Sequence, residues 1–225
     1  MTIVLAVLAV ALPLAISNFI PCYVKSSEMQ RYAEAEDSFL KIAEFYPNSG
    51  RLRLRLGEQT PFGFVAATSL KAESSGTVEV NAACDGGNVN FNLQCNISSV
   101  KLSMLGRAIP NRTLIFSEGG IVVEQAGTRI VLSEPQIELN HSDDSLTLTI
   151  DCLKEERGIS GSGSAIVDIA MSMERREYEN CTGYIHINDS IFQDYWDEAM
   201  QSASGSMNFT NKNVTLIVRW MEVKV

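Results

Sequence analysis

The first 24 residues, MTIVLAVLAVALPLAISNFIPCYV, contain no charged side chain, and a densely charged stretch, KSSEMQRYAEAEDSFLKIAEFY, follows without a break. As one helix the uncharged run is roughly 36 Å long, enough to cross a hydrocarbon core of about 30 Å. No Lys or Arg precedes it and no polar break ends it. That argues for a retained segment over a cleaved signal peptide, with a short basic leader expected upstream of Met1. Next, Met29, Tyr32, Ala33, Phe39, Ile42, Ala43 and Tyr46 recur at spacings of three and four, with Glu34, Asp37, Lys41 and Glu44 opposite. Such a stripe is helical. The two parts together predict a nearly continuous helix from about Thr2 to Tyr46, bent near Pro13 or Pro21 and ended by Pro47-Asn48-Ser49-Gly50. Residues 1–47 therefore read as an anchor.

From residue 48 to 225 the pattern is that of a β-rich head. Arg51-Leu52-Arg53-Leu54-Arg55-Leu56 alternates with the period of a half-buried strand, which makes its arginines a solvated face before a basic patch. Further strands are expected at 62–70, 76–82, 88–95, 96–102, 113–117, 120–125, 128–133, 145–152, 163–174, 181–187 and 213–224. Asp85-Gly86-Gly87-Asn88, Gly119-Gly120 and Ala126-Gly127 are turn signals. Ser190 with Gln193 forms a capping box ahead of the apolar face Ile191, Phe192, Tyr195, Trp196, Ala199 and Met200, a helix at about 190–203. The expected fold class is α+β, mainly β. A long N-terminal transmembrane or pilin-like helix precedes an antiparallel β-sandwich-like head, which carries one short helix in its C-terminal half.

The cysteines and asparagines bear on compartment. Cys22 closes the uncharged run, while Cys84, Cys95, Cys152 and Cys181 lie in the head. Read in order they pair as Cys84–Cys95 across a hairpin and as Cys152–Cys181. Buried or free thiols are the alternative, since sequence cannot give connectivity. Asn96, Asn111, Asn140, Asn180, Asn188, Asn208 and Asn213 each begin an N-x-S/T sequon, so they are candidates for glycosylation on an externally displayed domain. The net charge of -9 disfavours nucleic acid, which needs clustered Lys and Arg.

Signals for chemistry are weak. No CxxC occurs, and neither His141 nor His186 has a metal-ligand partner at helical spacing. Asp143-Asp144 lacks the carboxylate ladder of a calcium loop and reads as a solvated turn. Ser160-Gly161-Ser162-Gly163-Ser164 fits neither a phosphate loop nor a nucleophile elbow. No catalytic residue, metal or cofactor is expected.

The order of features resembles a known group. Ile20-Pro21-Cys22-Tyr23 ends the apolar segment, and Ala35-Glu36-Asp37-Ser38-Phe39-Leu40 lies in the polar helix. Pro61-Phe62-Gly63-Phe64, Ser75-Gly76-Thr77-Val78-Glu79-Val80, Glu118-Gly119-Gly120-Ile121-Val122-Val123-Glu124-Gln125, Ile159-Ser160-Gly161-Ser162-Gly163 and the closing segment 214–225 follow. This set is similar to archaeal type IV pilin-like surface proteins, though the Glu that bacterial pilins carry early in the mature helix is missing. The resemblance implies a membrane-anchored or filament-associated cell-surface protein with a structural or adhesive role. Its partners would be membrane lipid or other pilin-like subunits, reached through residues 1–24, in a homo- or hetero-oligomer. The rival readings are a single-anchor exported envelope protein that handles lipid or assists envelope assembly, and an anchored hydrolase. A pocket gathering Asp151, His186 or His141 beside a carboxylate would favour the hydrolase.

Overall fold

A computed structural model describes the backbone of residues 2–59, 65–161, 163–202 and 204–224, and their side chains except at 2–12, 15, 16, 58, 59, 65 and 66. Pro61 to Phe64 and Ser162, named above, lie outside the described residues. Helix α1 spans Thr2–Phe45 with both prolines inside it. Its buried stripe is Val24, Glu28, Tyr32, Ala35, Phe39, Ile42 and Tyr46, again at spacings of three and four, which keep one face toward a neighbour. Met29 and Ala33, expected on that stripe, are exposed, Met29 to 56 %.

Among the described residues eleven strands form one sheet: β1 (Gly50–Gln59), β2 (Val65–Cys84), β3 (Val89–Leu105), β4 (Arg112–Ser117), β5 (Gly120–Gln125), β6 (Thr128–Ser133), β7 (Leu139–His141), β8 (Ser145–Leu153), β9 (Arg157–Gly161), β10 (Gly163–Asn188) and β11 (Ser206–Lys224). The order is β6-β5-β4-β3-β2-β1-β10-β11-β8-β7, with β9 paired to β2. Helix α2 (Gln193–Met200) lies between β10 and β11. Two additional pairings join the sheet to itself. β2 pairs with the second half of β10, and Ile97 of β3 bridges to Cys152 of β8. The strands β2, β10, β11, β8 and β3 thereby close a ring. Inside it Val78, Val80, Ile97, Leu148, Ile150, Ile185, Leu216 and Val218 form one core, which Trp196 and Met200 of α2 join. The other core gathers the α1 stripe against Leu52, Leu54 and Leu56 of β1 and the inward residues of β2 to β5, β10 and β11. The arginines of β1 are exposed, so its alternation reads as the sequence suggests.

The expected fold class is corrected on two points. First, among the described residues no helix is long and apolar enough to cross a membrane. From Ser17 to Phe45, α1 carries Lys25, Glu28, Arg31, Glu34, Glu36, Asp37, Lys41 and Glu44, and its apolar stripe is spent on the sheet. Second, the head is not a purely antiparallel sandwich. β8 and β11 run parallel from Asn213↔Ser145 to Met221↔Leu153, inside one continuous sheet.

The cysteine pairing is also corrected: the bridges are Cys84–Cys181 and Cys95–Cys152. The turn after β2 sets Cys84 opposite Val89 and Cys95 opposite Val78. Cys84 and Cys95 are therefore six positions apart along the ladder, about 20 Å at roughly 3.3 Å per residue. Cys181 instead follows the Thr182↔Ala83 register to face Cys84, with Cα atoms 4.0 Å apart. Gly183 permits this approach, because a Cβ there would sit 2.1 Å from the Asn81 carbonyl oxygen.

Candidate functional site

Three buried carboxylates stand out, since such groups are rarely buried without partners. Glu28 is 4 % exposed on α1. Its Oε1 accepts the Arg107 N–H at 2.8 Å, and its Oε2 accepts those of Ala108 and Ile109 at 2.8 and 3.1 Å. One turn on, the Tyr32 hydroxyl donates to the Met104 carbonyl at 2.9 Å. Burial, with Glu28 adding to it, pushes that hydroxyl up to about 12. Gly106 belongs here because a Cβ would lie 2.7 Å from the Tyr32 hydroxyl. Nearby, Arg112 of β4 clasps Glu36 at 2.7 and 3.1 Å, the fork geometry that suits guanidinium and carboxylate.

Asp151 of β8 anchors the other end of the helix. Its Oδ2 accepts the Tyr46 hydroxyl at 2.6 Å, and its Oδ1 accepts Arg219 Nε at 2.7 Å. Arg219 and Asp151 face each other in the parallel ladder, and the guanidinium carbon stands 4.9 Å from the Tyr46 ring centre. Burial raises the Asp151 carboxyl above its usual range, and Arg219 opposes the shift. A cavity of about 450 Å³ opens beside Arg219, lined also by Glu138, Thr149, Met171, Met173 and Ile217.

Glu118 is the third. It sits at φ 52°, before Gly119 at φ 77°, in the two-residue turn between β4 and β5. Two positive φ values suit a tight hairpin, but a Glu is unusual at the first. Its carboxylate explains the choice: it accepts the Ser190 hydroxyl at 2.8 Å and the Trp196 indole N–H. Ser190 is the expected capping residue, and Gln193 Oε1 accepts its N–H at 3.2 Å, although α2 begins only at Gln193. Burial pushes the Glu118 carboxyl up to about 7, the two hydrogen bonds oppose that, and Asp151 adds to it.

Each carboxylate uses both oxygens to tie one element to another. The histidines do not join them. His186 Nδ1 pairs with the Ser206 hydroxyl at 2.6 Å, and His141 is exposed on β7. Among the described residues no cluster of His, Cys, Asp and Glu is placed to hold a metal ion. Cys84, Cys95, Cys152 and Cys181 are all bridged, while Cys22 is free and exposed. All seven sequon asparagines, Asn96, Asn111, Asn140, Asn180, Asn188, Asn208 and Asn213, are exposed. Asn96, Asn180, Asn188, Asn208 and Asn213 lie in strands of the ring, and Asn140 lies in β7, which pairs with β8. Sequence reading missed Glu28, Glu118 and Arg219. The only available signal was Glu118 ahead of two glycines in a turn. Comparison with protein-family models, curated proteins and solved structures finds no match to this chain.

Proposed function

We propose that this chain is an extracytoplasmic structural subunit of pilin-like plan, in which the first part of α1 contacts other copies and the β body is displayed. One observation carries the reading. Pro13, Leu14, Phe19, Pro21, Cys22 and Tyr23 are exposed on a helix segment without charge, whereas the same helix is locked into the body from Val24 onward. Leu14 and Phe19 are 58 % and 64 % exposed. An uncharged rod that presents such side chains gains by burial against a partner. Two disulfides suit an oxidising compartment, and seven exposed sequon asparagines suit display. The reading assigns no chemistry to any residue.

The test compares the full chain with residues 24–225 by sedimentation. The full chain should assemble, and the shorter one should stay folded and monodisperse. Equal assembly by both, or a monomeric full chain that partitions into lipid vesicles, refutes the proposal. Turnover of ester, peptide or glycoside substrates that is lost on changing His141 or His186 would replace it with an enzyme.

A further inference from the structure

We propose that the cavity beside Arg219 is a binding site for a neutral saccharide that presents vicinal hydroxyls. The site belongs to the β body and is independent of how the helix assembles. Arg219 is 7 % exposed, yet only its Nε is hydrogen-bonded among the described residues. Glu138 Oε1 stands 3.9 Å from Nη1, too far for a hydrogen bond. Its terminal nitrogens are not sealed off from solvent, so they can exchange water for a ligand hydroxyl. That edge is left to the cavity, which Arg219 lines.

The surroundings select the ligand. Glu138 is half-exposed, and its Oε2 is held by the Thr149 hydroxyl at 2.8 Å. Its other oxygen remains beside the arginine edge, so a donor pair and an acceptor stand next to each other. Two adjacent hydroxyls match that pair, one accepting from Arg219 and the other donating to Glu138. Charge excludes the simpler ligands. Arg219 already faces two carboxylates, Asp151 and Glu138, which repel an anion. The free guanidinium edge repels a cation. Asn48, Ser49 and Ser172 add polar rim, while Met171, Met173 and Ile217 offer an apolar wall for a sugar C–H face. A volume of about 450 Å³ falls within the usual range of small-molecule sites.

The experiment titrates the intact full chain, labelled at methionine methyls, with a panel of neutral mono- and disaccharides. At least one should shift the Met171 and Met173 signals while Met104, fully buried at the Tyr32 end of the α1-side core, stays still. Glu138→Ala should weaken that binding about tenfold or more, as expected for losing a hydrogen bond to a charged group. Thr149→Val, which frees Glu138 without altering its charge, should weaken it less. Glu138→Gln separates ligand classes: it lowers affinity for a neutral sugar and raises it for an anion. No methyl response to any neutral saccharide overturns the proposal. So does binding untouched by Glu138→Ala, or a response confined to carboxylates or peptides.

Discussion

Glu118 holds its place through a conflict between burial and charge. The turn gives it an uncommon backbone conformation, and the protein surrounds the carboxyl with two donors and little water. Its folded pKa of about 7 lies above the ordinary 4.5. A raised carboxyl pKa means that the folded state keeps a proton the unfolded state has already released. The contribution is therefore complete below about pH 4.5 and is lost as pH climbs toward 7, by roughly 3 kcal/mol at about 1.4 kcal/mol per unit. Asp151 is shifted in the same direction, so the informative quantity is a difference. Urea midpoints of the native chain should fall between pH 5 and 7 more steeply than those of Glu118→Gln. Parallel curves would mean that the carboxyl is not buried as described. Glu28 is a different case, because three backbone donors require an acceptor there. Glu28→Gln turns an amide N–H toward those donors and should cost about 2 kcal/mol, read from the same midpoints at one pH. Neither carboxylate is visible as a buried residue in sequence, since burial depends on partners about 80 positions away.

At the scale of elements, the two disulfides differ in what they support. Cys84–Cys181 joins strands that already share a seven-pair ladder from Thr182↔Ala83 to Asn188↔Thr77. Cys95–Cys152 lies at the seam between β3 and β8, where, among the described residues, the ladder consists of the single pair Ile97↔Cys152. Both close long chain loops, so removing either should cost 2–5 kcal/mol. The local effects should differ. In a Cys95→Ser, Cys152→Ser variant, amide exchange should accelerate across 145–152, whereas the Cys84→Ser, Cys181→Ser variant should spare that strand. Equal acceleration in both would show that the seam does not rely on its bridge. The period-two patterns at 76–82 and 181–187 are legible as strands, yet each is half of a longer one. The break between the expected strands 62–70 and 76–82 ends at Ser75-Gly76, small residues of the kind that turns favour. In the structure Ser74 to Thr77 is a register shift inside β2. Local composition cannot separate a bulge from a turn, as both use the same small residues. The same ambiguity made Cys84–Cys95 the natural pair: a hairpin is local, whereas the β2–β10 pairing joins residues about a hundred positions apart.

For the whole molecule, the division of α1 is the feature that sequence marks only in part. The loss of charge before Lys25 is plain in the sequence. Where the helix enters the body is not, because Glu28 and Arg31 look like solvated positions. The contacts place the entry at Val24 and Glu28, which are 6 % and 4 % exposed, while Tyr23 is 41 % exposed. Truncation should therefore act as a step and not a slope. Starting the chain at Val24 removes no residue of either core, so its urea midpoint should match that of the full chain. Starting at Tyr32 removes Val24 and the Glu28 clasp and leaves the three backbone donors of residues 107–109 without their acceptor. That change should cost roughly 3–5 kcal/mol, from about 1 to 2 kcal/mol of valine burial and the lost charge-assisted hydrogen bonds. The remaining helix keeps Phe39, Ile42 and Tyr46 in the sheet, so the body should still fold, at lower stability. A graded loss that begins with the first residues removed would show that the exposed segment packs on its own body. The contact proposed with other copies would then lose its basis, because the surface offered for it would already be covered.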